Sequence, residues 1–348
     1  MIPVFNPTHI KELKNFLTEP RKIAITTHYK PDGDAIGSLL GLYNFLTSQK
    51  HKVKAIVPSD YPEFISFMKG NDKVINYENK PKQAEKYFRE AEIIFCLDFN
   101  EQSRVEAMQH IMMDNSATKV VIDHHIEPQI KADYVFSFPQ SCATCELIYY
   151  FIYALKSDYK MKSDVAECLY TGIMTDTGSF RFSSMTADTH RIVAALMDTG
   201  MDHVKIHESV SDTFTEDRIR FLGYCLRDKM QLIHAFHASY ISLSLTELDQ
   251  FNHQTGDTEG IVNYPLNIKG VKMSALFTEK EDGGVKISFR SKGNFSVRDM
   301  AKKFFNGGGH HNAAGGRFDG SMDECVEHFI SALNYYKAEL MDADTLEN

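Results

Sequence analysis

The chain has 348 residues, 43% hydrophobic and 24% charged, which are values of ordinary folded domains; they exclude intrinsic disorder and, at this length, a mini-protein held by disulfides. Thirty-eight Lys and Arg against 47 Asp and Glu leave a formal charge of -9, so no global positive field exists to hold a long polyanion, although a bound cation can reverse the sign locally for a small anion. The longest near-apolar stretch, residues 147–155, is too short to cross a bilayer, and residues 1–15 show no apolar core before a small-residue cleavage site, so a cytoplasmic protein is expected.

From residue 21 to about 134, short β-branched runs (23–27, 53–57, 93–97, 120–122) alternate with helical segments (36–46, 82–91, 104–113). This alternation predicts βαβ units, hence an α/β domain with a mainly parallel sheet flanked by helices, whose ligands bind beyond the carboxyl ends of the strands. Residues 142–232 read as helical almost throughout. Cys142 and Cys145 form a CxxC with no second pair, and with the other four cysteines they read as reduced core thiols. Strand-like runs return at 238–245, 271–277 and 285–290, followed by a helix at 297–305, a glycine-rich loop and a last helix at 324–340. The expected organisation is a domain over 1–210, a helical linker over 211–235, a smaller α/β domain over 236–341 with the active cleft between the two domains, and an acidic tail over 342–348. Six further histidines, His51, His203, His207, His234, His237 and His253, match no acid pattern and are expected at the surface.

The first run ends in His28-Tyr29-Lys30-Pro31-Asp32-Gly33-Asp34. Two carboxylates flanking a glycine beside a histidine fit a divalent cation, and equally fit an Asx-turn with a helix N-cap. The pattern recurs: the run at 93–97 leads into Asp98, the run at 120–122 into Asp123-His124-His125, and a helix stops at Asp176 in Thr175-Asp176-Thr177-Gly178-Ser179-Phe180-Arg181. Together these make a mixed imidazole and carboxylate set of the kind that binds manganese and related ions.

The order HxxPDGDxxGS, a lone strand-end Asp, DHH and DTGSFRF resembles the DHH phosphoesterase superfamily, and Gly307-Gly308-Gly309-His310-His311-Asn312-Ala313-Ala314-Gly315-Gly316 resembles the signature of its DHH-associated C-terminal domain. The nearest pattern is that of the nanoRNase and pAp phosphatase subgroup. The resemblance implies that His28 and Asp32 hold one divalent ion, that Asp34, His124 and Asp176 hold a second, and that Asp98 bridges them. The ions are expected to be Mn2+, with Mg2+ or Co2+ as alternatives. It further implies that His125 acts on the phosphate or the leaving oxygen, that Asp123 orients an imidazole, and that Arg290, Gly307, Gly308, Gly309, His310 and His311 bind substrate. The glycines alone also fit a flexible turn, and Arg290 alone a solvated strand-end charge.

The expected activity is two-metal hydrolysis of phosphoesters in short nucleotides: oligoribonucleotides, pAp or linear dinucleotides such as pApA. A homodimer is the candidate assembly, with no membrane or long duplex DNA as partner. The alternatives are a nucleotide sensor on the same scaffold and a pyrophosphatase or exopolyphosphatase.

Overall fold

A computed structural model describes residues 3–212, 214–254 and 256–341; the acidic tail at 342–348 lies outside the described residues. The chain divides into two compact units, Met1–Thr213 and Phe214–Asn348.

The first unit runs through α1 (Pro7–Phe16), β1 (Lys22–Thr26), α2 (Gly33–Ser48), β2 (Lys52–Val57), β3 (Ile75–Asn76), α3 (Pro81–Glu90), β4 (Ile93–Leu97), α4 (Gln109–Met113), β5 (Thr118–Asp123) and β6 (Tyr134–Ser137). Four helices follow: α5 (Thr144–Leu155), α6 (Ser163–Asp176), α7 (Ala187–Met197) and α8 (His203–Ser211). The six strands lie in the order β3-β2-β1-β4-β5-β6 and every pairing is parallel. Such a sheet has both faces covered, and successive side chains alternate between them. Ile23, Ile25, Phe95 and Ile122 pack with α2, α5 and α6 on one face, whereas Ala24, Ile94, Cys96 and Val121 pack with α3 and α4 on the other. Chain order reverses between β1 and β4, which opens a crevice at their carboxyl ends.

The expected 104–113 helix is instead a 3₁₀ segment, Gln102–Met108, broken at Glu106 (φ 47°), and then α4. Strands β3 and β6 were not expected. They are short edge elements, below the length at which a periodic pattern declares itself.

The second unit contains α9 (Glu216–Tyr224), β7 (Met230–Ile233), β8 (Ala238–Leu243), α10 (Leu245–Gln250), β9 (Met273–Glu279), β10 (Val285–Ser291), α11 (Val297–Phe304), β11 (Gly308–His310), β12 (Ala313–Phe318), α12 (Met322–Tyr335) and α13 (Lys337–Met341). Its sheet has the order β11-β12-β10-β9-β8-β7 and is antiparallel except for the β8–β9 pair. The stretch expected as a helical linker therefore ends in a strand, β7. Its helix is also part of the unit, because Phe221 and Cys225 pack with Ile241, Leu243 and Leu276 on one face of the sheet. The glycine-rich segment is likewise a hairpin of β11 and β12 rather than a loop. Phe305, buried against Phe289 at a ring separation of 5.0 Å, anchors the end of α11 to the sheet. Of the six histidines expected at the surface, His51 is buried, where its Nδ1 accepts from the Arg21 backbone N–H at 3.1 Å.

All six cysteines are free and buried. Cys142 lies in the loop before α5 and Cys145 in its first turn, so the CxxC is not within one helix.

Candidate metal centre

Pro31 and the glycine after Asp32 end the β1 extension, and Asp32 caps α2: its Oδ1 accepts from the backbone N–H of Asp34 and of Ala35, each at 3.0 Å. The capping and metal readings of this segment are compatible, because Asp32, His28 and Asp98 also offer ligand atoms within 4.8 Å of one another. Asp34, His124 and Asp176 form a second such group. Asp98 stands between them, with Oδ2 3.5 Å from His28 Nε2 and Oδ1 3.5 Å from His124 Nε2.

Three strand ends and two helix ends supply these atoms. His28 follows β1, Asp98 follows β4 in a left-handed conformation (φ 64°), and His124 follows β5. Asp34 sits in the first turn of α2 and Asp176 is the last residue of α6. A carboxylate at a helix C-terminus faces the negative end of the dipole, which favours a cation in front of it.

The helices meet along a seam of small residues. A Cβ at Gly33 would lie 2.8 Å from Thr175 Cβ, one at Gly37 would lie 2.6 Å from the Cys168 carbonyl oxygen, and one at Gly172 would lie 3.0 Å from Asp34 Oδ1. Close approach of this kind brings the first turn of α2 against the last turns of α6, and so Asp34 near Asp176.

Hydrogen bonds fix the imidazoles. His124 Nδ1 lies 3.2 Å from the Ser141 carbonyl and His28 Nδ1 2.9 Å from that of Tyr29; a carbonyl only accepts, so each Nδ1 carries the proton. The Nε2 of His124 then faces Asp34, Asp98 and Asp176 at 3.9, 3.5 and 3.6 Å. A lone pair aimed at three carboxylates is repulsive unless a proton or a metal ion stands between.

The charges show the same need. Asp34 and Asp98 are 1% and 2% exposed. Burial and the charge of Asp98 push Asp34 up to about 7, and burial with the charges of Asp34 and Asp32 holds Asp176 well above the carboxylate range. Burial opposes protonation of His124, yet Asp176, Asp98 and Asp34 raise it to about 9. Asp98 moves the other way: burial works against its ionisation, but the His28 hydrogen bond and the charges of His125 and His124 bring it below its ordinary value. Without cations the set thus keeps protons that divalent ions would replace, so the donor set fits such ions.

Asp123 ends β5, and its Oδ1 accepts a hydrogen bond from the His125 Nδ1–H at 2.7 Å, while Oδ2 is buried without a hydrogen-bond partner among the described residues.

In the second unit, Arg290 of β10 pairs with Ala313 of β12, which pairs with His310 of β11. The three residues thus form one cross-strand row. Arg290 is partly buried, its Nη1 donates to the Phe289 carbonyl at 2.9 Å, and burial lowers its pKa. His310 and His311 are exposed. Of the glycines, Gly307 is in close contact with Gly315 and Gly316, and Gly309 has φ 139°; a Cβ on Gly308 would meet open space.

The residues that sequence reasoning missed are Ser141, Thr144, Cys145 and Glu146. Thr144 Oγ1 donates to Asp98 Oδ1 at 2.8 Å, and the N–H groups of Thr144 and Cys145 donate to Asp34 at 2.6 and 2.9 Å. No local pattern marks these contacts. The Gly33, Gly37, Gly41 spacing was a visible sign of the helix seam.

Comparison with known proteins identifies the family. Residues 22–173 match the DHH family N-terminal domain and residues 236–339 the DHHA1 domain. The chain is 30% identical over 319 residues to the bifunctional oligoribonuclease and PAP phosphatase NrnA of Thermus thermophilus, covering 89% of each. It is 26% identical over 295 residues to the Bacillus subtilis protein of that name, covering 84% of this chain and 88% of the relative. Among solved structures, an exopolyphosphatase-related protein from Bacteroides fragilis superposes with a TM-score of 0.95 at 38% identity, covering 98% of this chain and 100% of that one.

Proposed function

The chain belongs to the DHH family, and from that membership we propose that it is a metal-dependent hydrolase of phosphoester bonds in short nucleotides, with oligoribonucleotides, pAp and pApA as substrates. The observation that carries the reading is the Asp98 carboxylate, one oxygen toward His28 and the other toward His124. His28 and Asp32 would hold one ion, Asp34, His124 and Asp176 the other, and Asp98 would serve both. Manganese suits the mixed donors best, with magnesium and cobalt as alternatives. When bound, the two ions neutralise phosphate charge and make water nucleophilic at neutral pH.

The remaining steps belong to side chains. Asp123 accepts the Nδ1–H of His125 and so aims Nε2 outward; Nε2 then meets the phosphate or, in the doubly protonated ring, gives its proton to the leaving oxygen. Arg290, Gly307, Gly308, Gly309, His310 and His311 bind the nucleotide. Arg290 contributes a charge suited to a phosphate. Six buried free thiols suit the reducing cytoplasm.

The test is a single purified sample assayed in manganese with pAp, pApA, a five-nucleotide RNA, pyrophosphate and polyphosphate. Turnover of the nucleotides is expected. Exclusive turnover of pyrophosphate or polyphosphate would replace this reading with that of a polyphosphate hydrolase, and tight binding of pApA without turnover would replace it with a sensor.

A further inference from the structure

We propose that Thr144 is a positioning residue that couples the two halves of the metal centre, an inference that rests on the two-ion reading above. Asp98 gets no orientation from its strand, because it follows β4 in a left-handed conformation and the terminal torsion of an aspartate side chain is soft. Its carboxylate must be aimed by contacts. Among the described residues, the hydroxyl of Thr144, fully buried, is the non-histidine side chain that hydrogen-bonds it, at 2.8 Å on Oδ1. That is the oxygen facing His124. The backbone N–H of the same residue donates to Asp34 Oδ2 at 2.6 Å. Thr144 therefore holds the carboxylate shared by both ions through its side chain and a carboxylate of the second ion through its main chain.

Its own position is fixed from behind. Glu146, buried in the first turn of α5, accepts from the Cys142 N–H at 3.1 Å, from the Ser141 hydroxyl, and from Thr189 Oγ1 of α7 at 2.8 Å. These bonds set the 141–143 loop, whose Ser141 carbonyl holds His124 Nδ1. One short segment thus addresses Asp98, Asp34 and His124 together. Outer contacts of this type change metal affinity by roughly 10- to 100-fold when removed.

The experiment uses the full chain, stripped of metal and titrated with Mn2+ by calorimetry, with thermal unfolding of the metal-free protein as the folding control. Thr144→Val keeps the shape and loses the hydroxyl; it should weaken Mn2+ binding about 10- to 100-fold, whereas Thr144→Ser should recover most of the parental affinity. Parental binding of two ions together with an unchanged affinity in Thr144→Val overturns the inference and leaves the two-ion reading standing. A parent that binds no Mn2+ overturns that reading, and the inference with it. Should Thr144→Val fail to fold, Glu146→Gln and Glu146→Leu decide. Gln still accepts from the 141–142 segment and can donate to Thr189, so it should bind Mn2+ more tightly than Leu; equal affinities overturn the inference.

Discussion

The two six-stranded sheets place their polar side chains in opposite ways. In the parallel sheet, strand ends gather His28, Asp98, Asp123 and His124 into one buried crevice, where each is tied by further hydrogen bonds. In the mixed sheet, the polar residues of interest lie along a cross-strand row and a hairpin edge, partly or fully exposed. Parallel order aligns all carboxyl ends, so it concentrates charge, whereas antiparallel order spreads side chains over a face. In the function proposed above, the first unit acts on what every phosphoester shares, and the second on what distinguishes one substrate from another.

The sharpest way to break this comparison is Asp98→Ala. Removing the carboxylate that serves both clusters should cost more activity than the roughly 10- to 100-fold typical of an outer-shell change, on every substrate, with loss of bound metal. Near-parental turnover and metal content would show that Asp98 is not shared.

The adjacent histidines come next. His124→Ala should lower metal occupancy, whereas His125→Ala should retain both ions and lose about 10²- to 10⁴-fold in kcat. Metal analysis of both purified variants separates the roles, and equal metal loss would contradict the division.

In the second unit the effect should depend on the substrate. A charge-assisted contact is worth roughly 1.5–3 kcal/mol, so Arg290→Ala should reduce kcat/KM on pApA about 10- to 150-fold with metal content unchanged. Its effect on bis(p-nitrophenyl) phosphate should be much smaller. An equal loss on both substrates would move Arg290 from recognition to folding or catalysis.

The smallest effects are those on stability within the hairpin. Gly307→Ala would press a methyl into the Gly315–Gly316 backbone and should cost about 1–3 kcal/mol, read as a lower Tm. Gly308→Ala enters open space and should stay within about 0.5 kcal/mol. Reduced turnover of pApA by Gly308→Ala at constant Tm would assign that glycine to substrate approach.

Much of this was legible in the chain. The β-branched runs announced β1, β2, β4 and β5, and because parallel strands deliver their ends to one crevice, the acids and histidines after them could be grouped before any geometry was known. The β7 strand was hidden by the helical pattern running up to it and by its half-exposed edge position, with Gln231 and Leu232 facing outward. The β11–β12 hairpin was hidden because glycine is a poor strand former; the close contacts of Gly307 and Gly316 and the positive φ of Gly309 explain its choice there. Thr144 escaped notice for another reason: its partners Asp98 and Asp34 lie 46 and 110 residues away, and ordinary helix-start chemistry accounts for a threonine at that position.

The glycine seam between α2 and α6 has a consequence for inheritance. Because a Cβ on Gly37 would lie 2.6 Å from the Cys168 carbonyl oxygen, the separation of the two ligand-bearing helices is at that point a main-chain dimension. A larger residue on one helix cannot be accommodated by a rotamer change; it must be answered by movement or contraction on the other. Substitutions along the seam should therefore be accepted in pairs, and a lineage that altered the spacing between its two ions would have to rewrite both helices together.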